Sequence, residues 1–292
     1  MTDTNYRPRR SCLYMPGGNV RALEKARTLD ADVVIFDLED SVAPESKDQA
    51  RRCVCDAVAS RAYGSREVVV RINPLSSEWG PGDLDAVLDA APDAILLPKV
   101  LLPEDITDCN DLISEIDGAP LGLWAMIESP LAVMNLREIA QTATRTRLSA
   151  LVVGPNDLAK DMQARVTDGR VAIQTALSLT VMAARAYGIA AIDGVYNDIG
   201  NEAGLIAECE QGRSLGFDGK TLIHPSQLEA SNRIFSPAAE EVEHARRVIA
   251  AFSLPENEGK GVIKVDGKMT ELLHLEQAKR LVDLDDAIRA RH

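Results

Sequence analysis

Eight short apolar runs recur along the chain, at residues 12–15, 33–38, 68–72, 94–97, 121–127, 150–153, 189–192 and 221–223. They are continuous rather than alternating, which suits strands covered on both faces. Helix-like stretches separate them. Residues 20–29 form one; residues 171–187 (VAIQTALSLTVMAARAY) form another, rich in Ala and Leu and stopped by Gly188. Strand–helix alternation predicts a parallel sheet, and eight units of roughly 25–30 residues predict an α/β fold, a closed (β/α)8 TIM barrel. An open doubly wound sheet is the alternative, but no G-x-G-x-x-G turn follows the first run. The barrel is assigned to residues 1–235. Residues 236–292 then form a C-terminal extension. It comprises a helix begun by a Ser236 cap with Pro237 at its first position, a polar loop or small hairpin (SLPENEGKGVIKVDGKM), and a final helix. Such a tail exceeds what a barrel needs, so a lid or an oligomer arm is expected.

Composition adds exclusions. Of 292 residues, 46% are hydrophobic and 26% charged, an ordinary globular balance. The net charge of −13 argues against nucleic acid or an anionic membrane as main partner. Five cysteines without a CxxC pair read as idle thiols in a reducing cytosol. The first residues, MTDTNYRPRRS, carry no apolar leader-like segment, and no run reaches the ~18 apolar residues of a membrane helix. A cytoplasmic location is expected.

Chemistry collects just after the runs. In a TIM barrel the C-terminal strand ends share one face, where active sites form. The residues there are Pro16-Gly17-Gly18-Asn19, then Asp37, Glu39 and Asp40, then Arg71-Ile72-Asn73-Pro74, Pro98-Lys99, Glu128-Ser129-Pro130, Gly154-Pro155-Asn156-Asp157, Asp193-Gly194 and His224-Pro225. Three carboxylates behind one apolar strand repel each other unless a cation compensates. Arg71 and a metal are the candidates. Glu128 and Asp157 end neighbouring strands; two oxygen ligands, completed by water and substrate, suit Mg2+, and the scarcity of histidine argues against zinc. Taken alone, Glu128 also reads as a carboxylate at a helix N-terminus. Arg71 is either a structural ion pair of the Asp37–Asp40 group or a planar fork for a substrate oxygen, and both can hold. Asp37 and Asp40 are then expected to hold Arg71 or metal-bound water, while Glu39 is expected to point elsewhere. Lys25 reads as solvated, or as a phosphate contact if it lies near this rim. His224 reads as structural or catalytic, and Asp161 as a solvated helix residue.

RSCLYMPGG…LEKA, VIFDLEDSV, VRINP, LLPKV, IESP, VGPNDLAKDM, DGKTLIHPSQ and VDGKM, in that order, resemble the citrate lyase β-subunit-like family of CoA-thioester lyases, within the HpcH/HpaI aldolase superfamily. The similarity runs from about Arg10 to Asp283. The resemblance implies a TIM barrel, a homotrimer or homohexamer, and a C-terminal segment that covers a neighbour's site. It implies Mg2+ on Glu128 and Asp157, and substrate contacts from Arg71, Glu128, Pro155 and Asn156. Contacts to CoA, as part of the substrate, fall on Tyr14 and Lys25; an Arg that some members use between them is Asn19 here. Where members read M-x-D-x-P after the terminal glycine, with the Asp transferring a proton across subunits, this chain has Met269-Thr270-Glu271-Leu272-Leu273. Glu271 therefore takes that place. The implied activity is Mg2+-dependent carbon–carbon cleavage, or formation, of a β-hydroxyacyl-CoA such as malyl-CoA or citramalyl-CoA. The alternatives are a malyl-CoA thioesterase, a CoA-free pyruvate aldolase and a citrate lyase complex subunit.

Overall fold

A computed structural model describes residues 7–114 and 121–291. The leaderless reading of the first six residues falls outside that range. Eight strands, β1 (Ser11–Pro16), β2 (Val33–Asp37), β3 (Glu67–Arg71), β4 (Ala94–Leu97), β5 (Gly122–Ile127), β6 (Leu148–Val153), β7 (Ala190–Asp193) and β8 (Gly219–Leu222), pair in sequence order and close into one parallel barrel. Each predicted run lies on one of them. The continuous apolar character has its expected cause: β2 is buried at all five positions, between helices outside and the barrel core inside.

Strand alternation decides which residues face inward. Cys12, Val33, Ile35, Val69, Ala94, Leu96, Trp124, Met126, Ala150, Val152 and Ile192 form the buried core cluster. Two positions further along the same faces lie Tyr14, Asp37, Arg71 and Glu128. The site is thus the next layer of the barrel interior, where apolar filling gives way to charge. At the other end, Arg10 pairs with Asp32 at 2.8 Å and Arg9 with Glu67 at 2.7 Å. The Arg9 guanidinium also lies 4.9 Å from the Trp124 ring centroid.

Local chemistry sets the helix ends. Asn19, Ser129 and Asn201 each accept a backbone N–H in the first turn of the helix that follows. The helix expected over residues 171–187 begins later, as Gln174–Ala186, because Gly169 and Arg170 take left-handed backbone angles of φ 78° and 51°. That bend aims Arg170 at Asp193. The helix expected from Ser236 is Ala239–Phe252 instead. Ala238 is still extended, and its N–H is held by Glu241 at 2.9 Å, so Ser236 is not the cap.

The chain divides into two compact units, Arg9–Arg233 and a C-terminal unit that begins at Ile234. The second contains the Ala239–Phe252 helix, a hairpin of β9 (Val262–Val265) and β10 (Lys268–Glu271), and the helix Leu272–Arg289. Asp266 and Gly267 make the two-residue hairpin turn with φ of 49° and 80°, as an Asp-Gly pair favours. Val248, Ile263, Val265, Ala278 and Val282 form its core. Among the described residues, no helix is long and apolar enough to cross a membrane.

Candidate active site

A cavity of about 360 Å3 opens at the C-terminal ends of the barrel strands. Tyr14, Asp37, Asp40, Arg71, Glu128, Pro155, Asn156 and Asp157 all line it. That volume suits a small ligand or the reacting end of a larger one. Lys25 is exposed on the helix Val20–Ala26 and does not line the cavity. Glu271 ends β10 in the C-terminal unit; it is exposed, and its N–H donates to His274 Nδ1 at 2.9 Å. His224 is exposed too, with its Nδ1 taken by Ser226 at 2.8 Å, which makes it a local cap. Asp161 is exposed on its helix.

Arg71 is held on several sides. β2 and β3 pair with Asp37 opposite Arg71, so the two inward side chains meet. Arg71 Nε and Nη2 donate to the two oxygens of Asp37 at 2.7 and 2.8 Å, a fork-to-fork pair. Nη1 lies 2.9 Å from Glu39 Oε2 and 3.4 Å from Asp40 Oδ2, and the guanidinium stacks 4.8 Å from the Tyr14 ring centroid. Burial works against the Arg71 charge, but Tyr14 and Asp37 outweigh it and keep its pKa high. Burial likewise pushes the Asp37 carboxyl up. The charge and hydrogen bonds of Arg71, with N–H groups from Glu39 and Ser41, pull it down further and leave it ionised. Both Asp37 oxygens are thereby committed to holding Arg71. Asp40, 65% exposed at its side chain, stays at the cavity mouth.

Glu39 corrects an expectation. It is buried and turns into the cluster instead of away from it. The cause is Lys47, whose buried ammonium donates to the carbonyls of Leu38 and Glu39 and to Asn73 Oδ1 at 2.7–2.8 Å. That clamp folds the segment after β2 inward. Burial raises the Glu39 pKa to about 7, against the pull of Arg71. Its Oε2 has no hydrogen bond despite its proximity to Arg71, because the contact lies off the N–H direction.

Glu128 and Asp157 converge on one cation, the Lys99 ammonium. Lys99 Nζ is 3.5 Å from Glu128 Oε1, is bonded to Asp157 Oδ2, and is 3.9 Å from Glu39 Oε1. The Lys99 backbone N–H also donates to Glu128 Oε1 at 2.6 Å. Burial raises the Glu128 pKa, opposed by Lys99. Room for Glu128 is made by Gly154: a Cβ there would lie 2.5 Å from Glu128 Cβ and 2.6 Å from its Oε2. Two hard oxygen donors that share one positive charge fit a Mg2+ ion, which takes carboxylates and water readily. Among the described residues no group of three or more His, Cys, Asp or Glu forms a metal-ligand set, so other ligands would come from water or substrate.

Sequence reasoning placed Lys99 and Gly154 at the strand-end face without a role, and it missed Lys47. It also missed Asn197, which exchanges two amide hydrogen bonds with Asn156, at 2.7 and 3.2 Å, along the cavity wall. Asp193, by contrast, is withdrawn from the cavity. It is wholly buried and bound to Arg170 at 2.8 Å and Lys220 at 3.1 Å.

Residues 10–225 match the HpcH/HpaI aldolase/citrate lyase family. The chain belongs to that family. It is 48% identical over 283 residues to a (3S)-malyl-CoA thioesterase of Cereibacter sphaeroides, which covers 97% of this chain and 96% of the relative. It is 39% identical over 271 residues to citrate lyase subunit beta of Escherichia coli K12, with 91% and 89% covered. Among solved structures, protein CitE from Mycobacterium tuberculosis in complex with magnesium, acetoacetate and coenzyme A matches with a TM-score of 0.73 and 28% identity, over 96% of this chain and 99% of that one. The family is enzymatic, and its named members include both lyase subunits and a thioesterase.

Proposed function

We propose that the chain is a Mg2+-dependent carbon–carbon lyase of a β-hydroxyacyl-CoA, with malyl-CoA or citramalyl-CoA as substrate. The observation that carries this reading is the convergence of Glu128 and Asp157 on a single cation, in the cavity that Arg71 also lines. Glu128 and Asp157 would hold the ion, which when bound supplies Lewis acidity toward the oxygens of an α-keto acid. The Arg71 fork, fixed by Asp37, presents buried positive charge toward the thioester oxygen, where negative charge grows as the C–C bond breaks. Pro155 and Asn156 wall the substrate, and Tyr14 packs against Arg71 on the side assigned to the thioester. Lys25, outside the cavity, is assigned to the distal phosphates of CoA. In cleavage a base takes the hydroxyl proton, the hydroxyl becomes the carbonyl of the keto acid, and the C–C bond pair passes to the acyl-CoA as its enolate. The enolate carbon then takes up a proton; we assign that last proton to Glu271 of a neighbouring copy. Met269, Leu272 and Leu273 beside it are 74%, 49% and 49% exposed, an apolar surface that a partner would cover. A homotrimer or homohexamer in the cytoplasm, with the C-terminal unit as lid over a neighbouring copy, completes the proposal.

Hydrolysis of the same thioester is the second reading, favoured by the 48% identity to a (3S)-malyl-CoA thioesterase. One experiment separates the two. The purified protein is incubated with Mg2+ and malyl-, citramalyl- or β-methylmalyl-CoA, and the products are identified. A keto acid with acyl-CoA supports the lyase. A hydroxy acid with free CoA supports the thioesterase. Turnover that persists unchanged in Glu128→Ala without added metal contradicts both.

A further inference from the structure

Lys99 stands out among the residues that contact the carboxylates of the site. It follows β4 with φ 53°, a left-handed conformation that a lysine adopts only against a cost. In that conformation both of its donors reach one carboxylate: the backbone N–H meets Glu128 Oε1 at 2.6 Å, and the ammonium lies 3.5 Å from the same oxygen. The ammonium also bonds Asp157, and Glu39 is 3.9 Å away. A single positive charge therefore sits among three carboxylates, at the point where Glu128 and Asp157 come together. Its side chain is 39% exposed, so it has a path to water. Two cations cannot share that point, because like charges at such separations repel strongly.

We propose that the Lys99 ammonium is a tethered counter-ion of the metal site, which neutralises Glu128 and Asp157 in the metal-free protein and swings out when a divalent cation binds. The inference rests on the reading of Glu128 and Asp157 as metal ligands. The left-handed backbone and its N–H bond keep Glu128 aimed after the ammonium leaves, so the ligand set stays assembled in both states. Lys99 then sets the metal affinity by competition, and the site gains metal without first enduring bare carboxylates. No covalent step is involved.

The test uses full-length protein stripped with a chelator, and Mn2+ as probe, followed by calorimetry and electron paramagnetic resonance. Lys99→Met removes the competing charge and keeps much of the stem. Lys99→Gly removes it and suits the positive φ, so one variant guards against misfolding of the other. Both are expected to bind Mn2+ roughly ten-fold tighter than wild type, the factor that about 1.4 kcal/mol of relieved competition produces. Their metal-free forms should melt lower, and Mn2+ should raise their midpoints by more than it raises that of wild type. In wild type, acylation of Lys99 by an amine-reactive ester, read by mass spectrometry, should accelerate when Mn2+ is added. Unchanged or weaker Mn2+ affinity in both variants, with Lys99 acylation indifferent to metal, overturns the proposal. If wild type binds Mn2+ through Glu128 in that case, only the counter-ion role has failed. If Mn2+ binds to no variant, or binds Glu128→Ala as well as wild type, the metal site itself has failed.

Discussion

Asp37 and Glu39 both contact Arg71 and respond to pH in opposite ways. Asp37 is ionised below the usual carboxylate range because Arg71 overcomes its burial. Its contribution to stability is present above the unfolded-state pKa and is lost as pH falls through the folded value. Glu39 has the other sign. Burial raises it from 4.5 to about 7, so folding takes up a proton between those values. Stability from Glu39 is complete below 4.5 and is lost as pH rises through about 7. In metal-free Glu39→Gln this titration is absent. Its thermal midpoint should fall less than that of wild type between about pH 5 and about pH 8. Superimposable pH profiles would place the Glu39 carboxylate in contact with water rather than in the buried position it occupies.

At the scale of elements, the strand ends divide into those that serve the cavity and those that brace it. β7 and β8 do both: Thr221 and Asn197 line the cavity, while Asp193 holds Arg170 and Lys220, and Glu208 lies 3.0 Å from Lys220. Asp193→Asn would leave two buried cations short of a counter-charge, at a cost of about 3–5 kcal/mol, read as a fall in the urea midpoint. A shift within error would mean that Glu208 alone suffices. These elements also mark how far the sequence could be read. Eight continuous apolar runs are legible because barrel strands are covered on both sides, and period-two alternation carries Asp37, Arg71 and Glu128 to one inner face. The bracing role of Asp193 was hidden, since Arg170 reaches it only through a left-handed bend that no residue pattern announces. Lys99 was legible as a strand-end residue but its role was not, because a positive φ brings its ammonium to Glu128 and Asp157. Glu39 was misjudged because its direction depends on Lys47, eight positions away on a following helix. The start of the Ala239–Phe252 helix was misplaced because Ala238 remains extended and the capping interaction comes from Glu241 instead.

For the whole molecule, the proposed division of labour is between copies. The barrel unit carries the cavity, whereas Glu271 and its exposed apolar neighbours belong to the C-terminal unit. Further exposed apolar side chains, Leu131, Met134, Val171 and Met182, lie on the barrel unit. If a neighbour supplies Glu271, then Glu128→Ala and Glu271→Ala should each be nearly inactive alone. Dissociated, mixed and reassembled, the two should recover part of the wild-type rate, because some sites combine an intact cavity with an intact Glu271. No recovery from mixtures that demonstrably exchange subunits would confine Glu271 to its own chain or remove it from the reaction.

The most direct measurement is the location of Mn2+ in crystals of the full-length protein, by anomalous scattering. One strong peak per chain is predicted, bonded to carboxylate oxygens of both Glu128 and Asp157 in the cavity that Arg71 lines. A peak bound elsewhere, or to one of those side chains while the other faces away, would contradict the shared site on which the proposed chemistry depends.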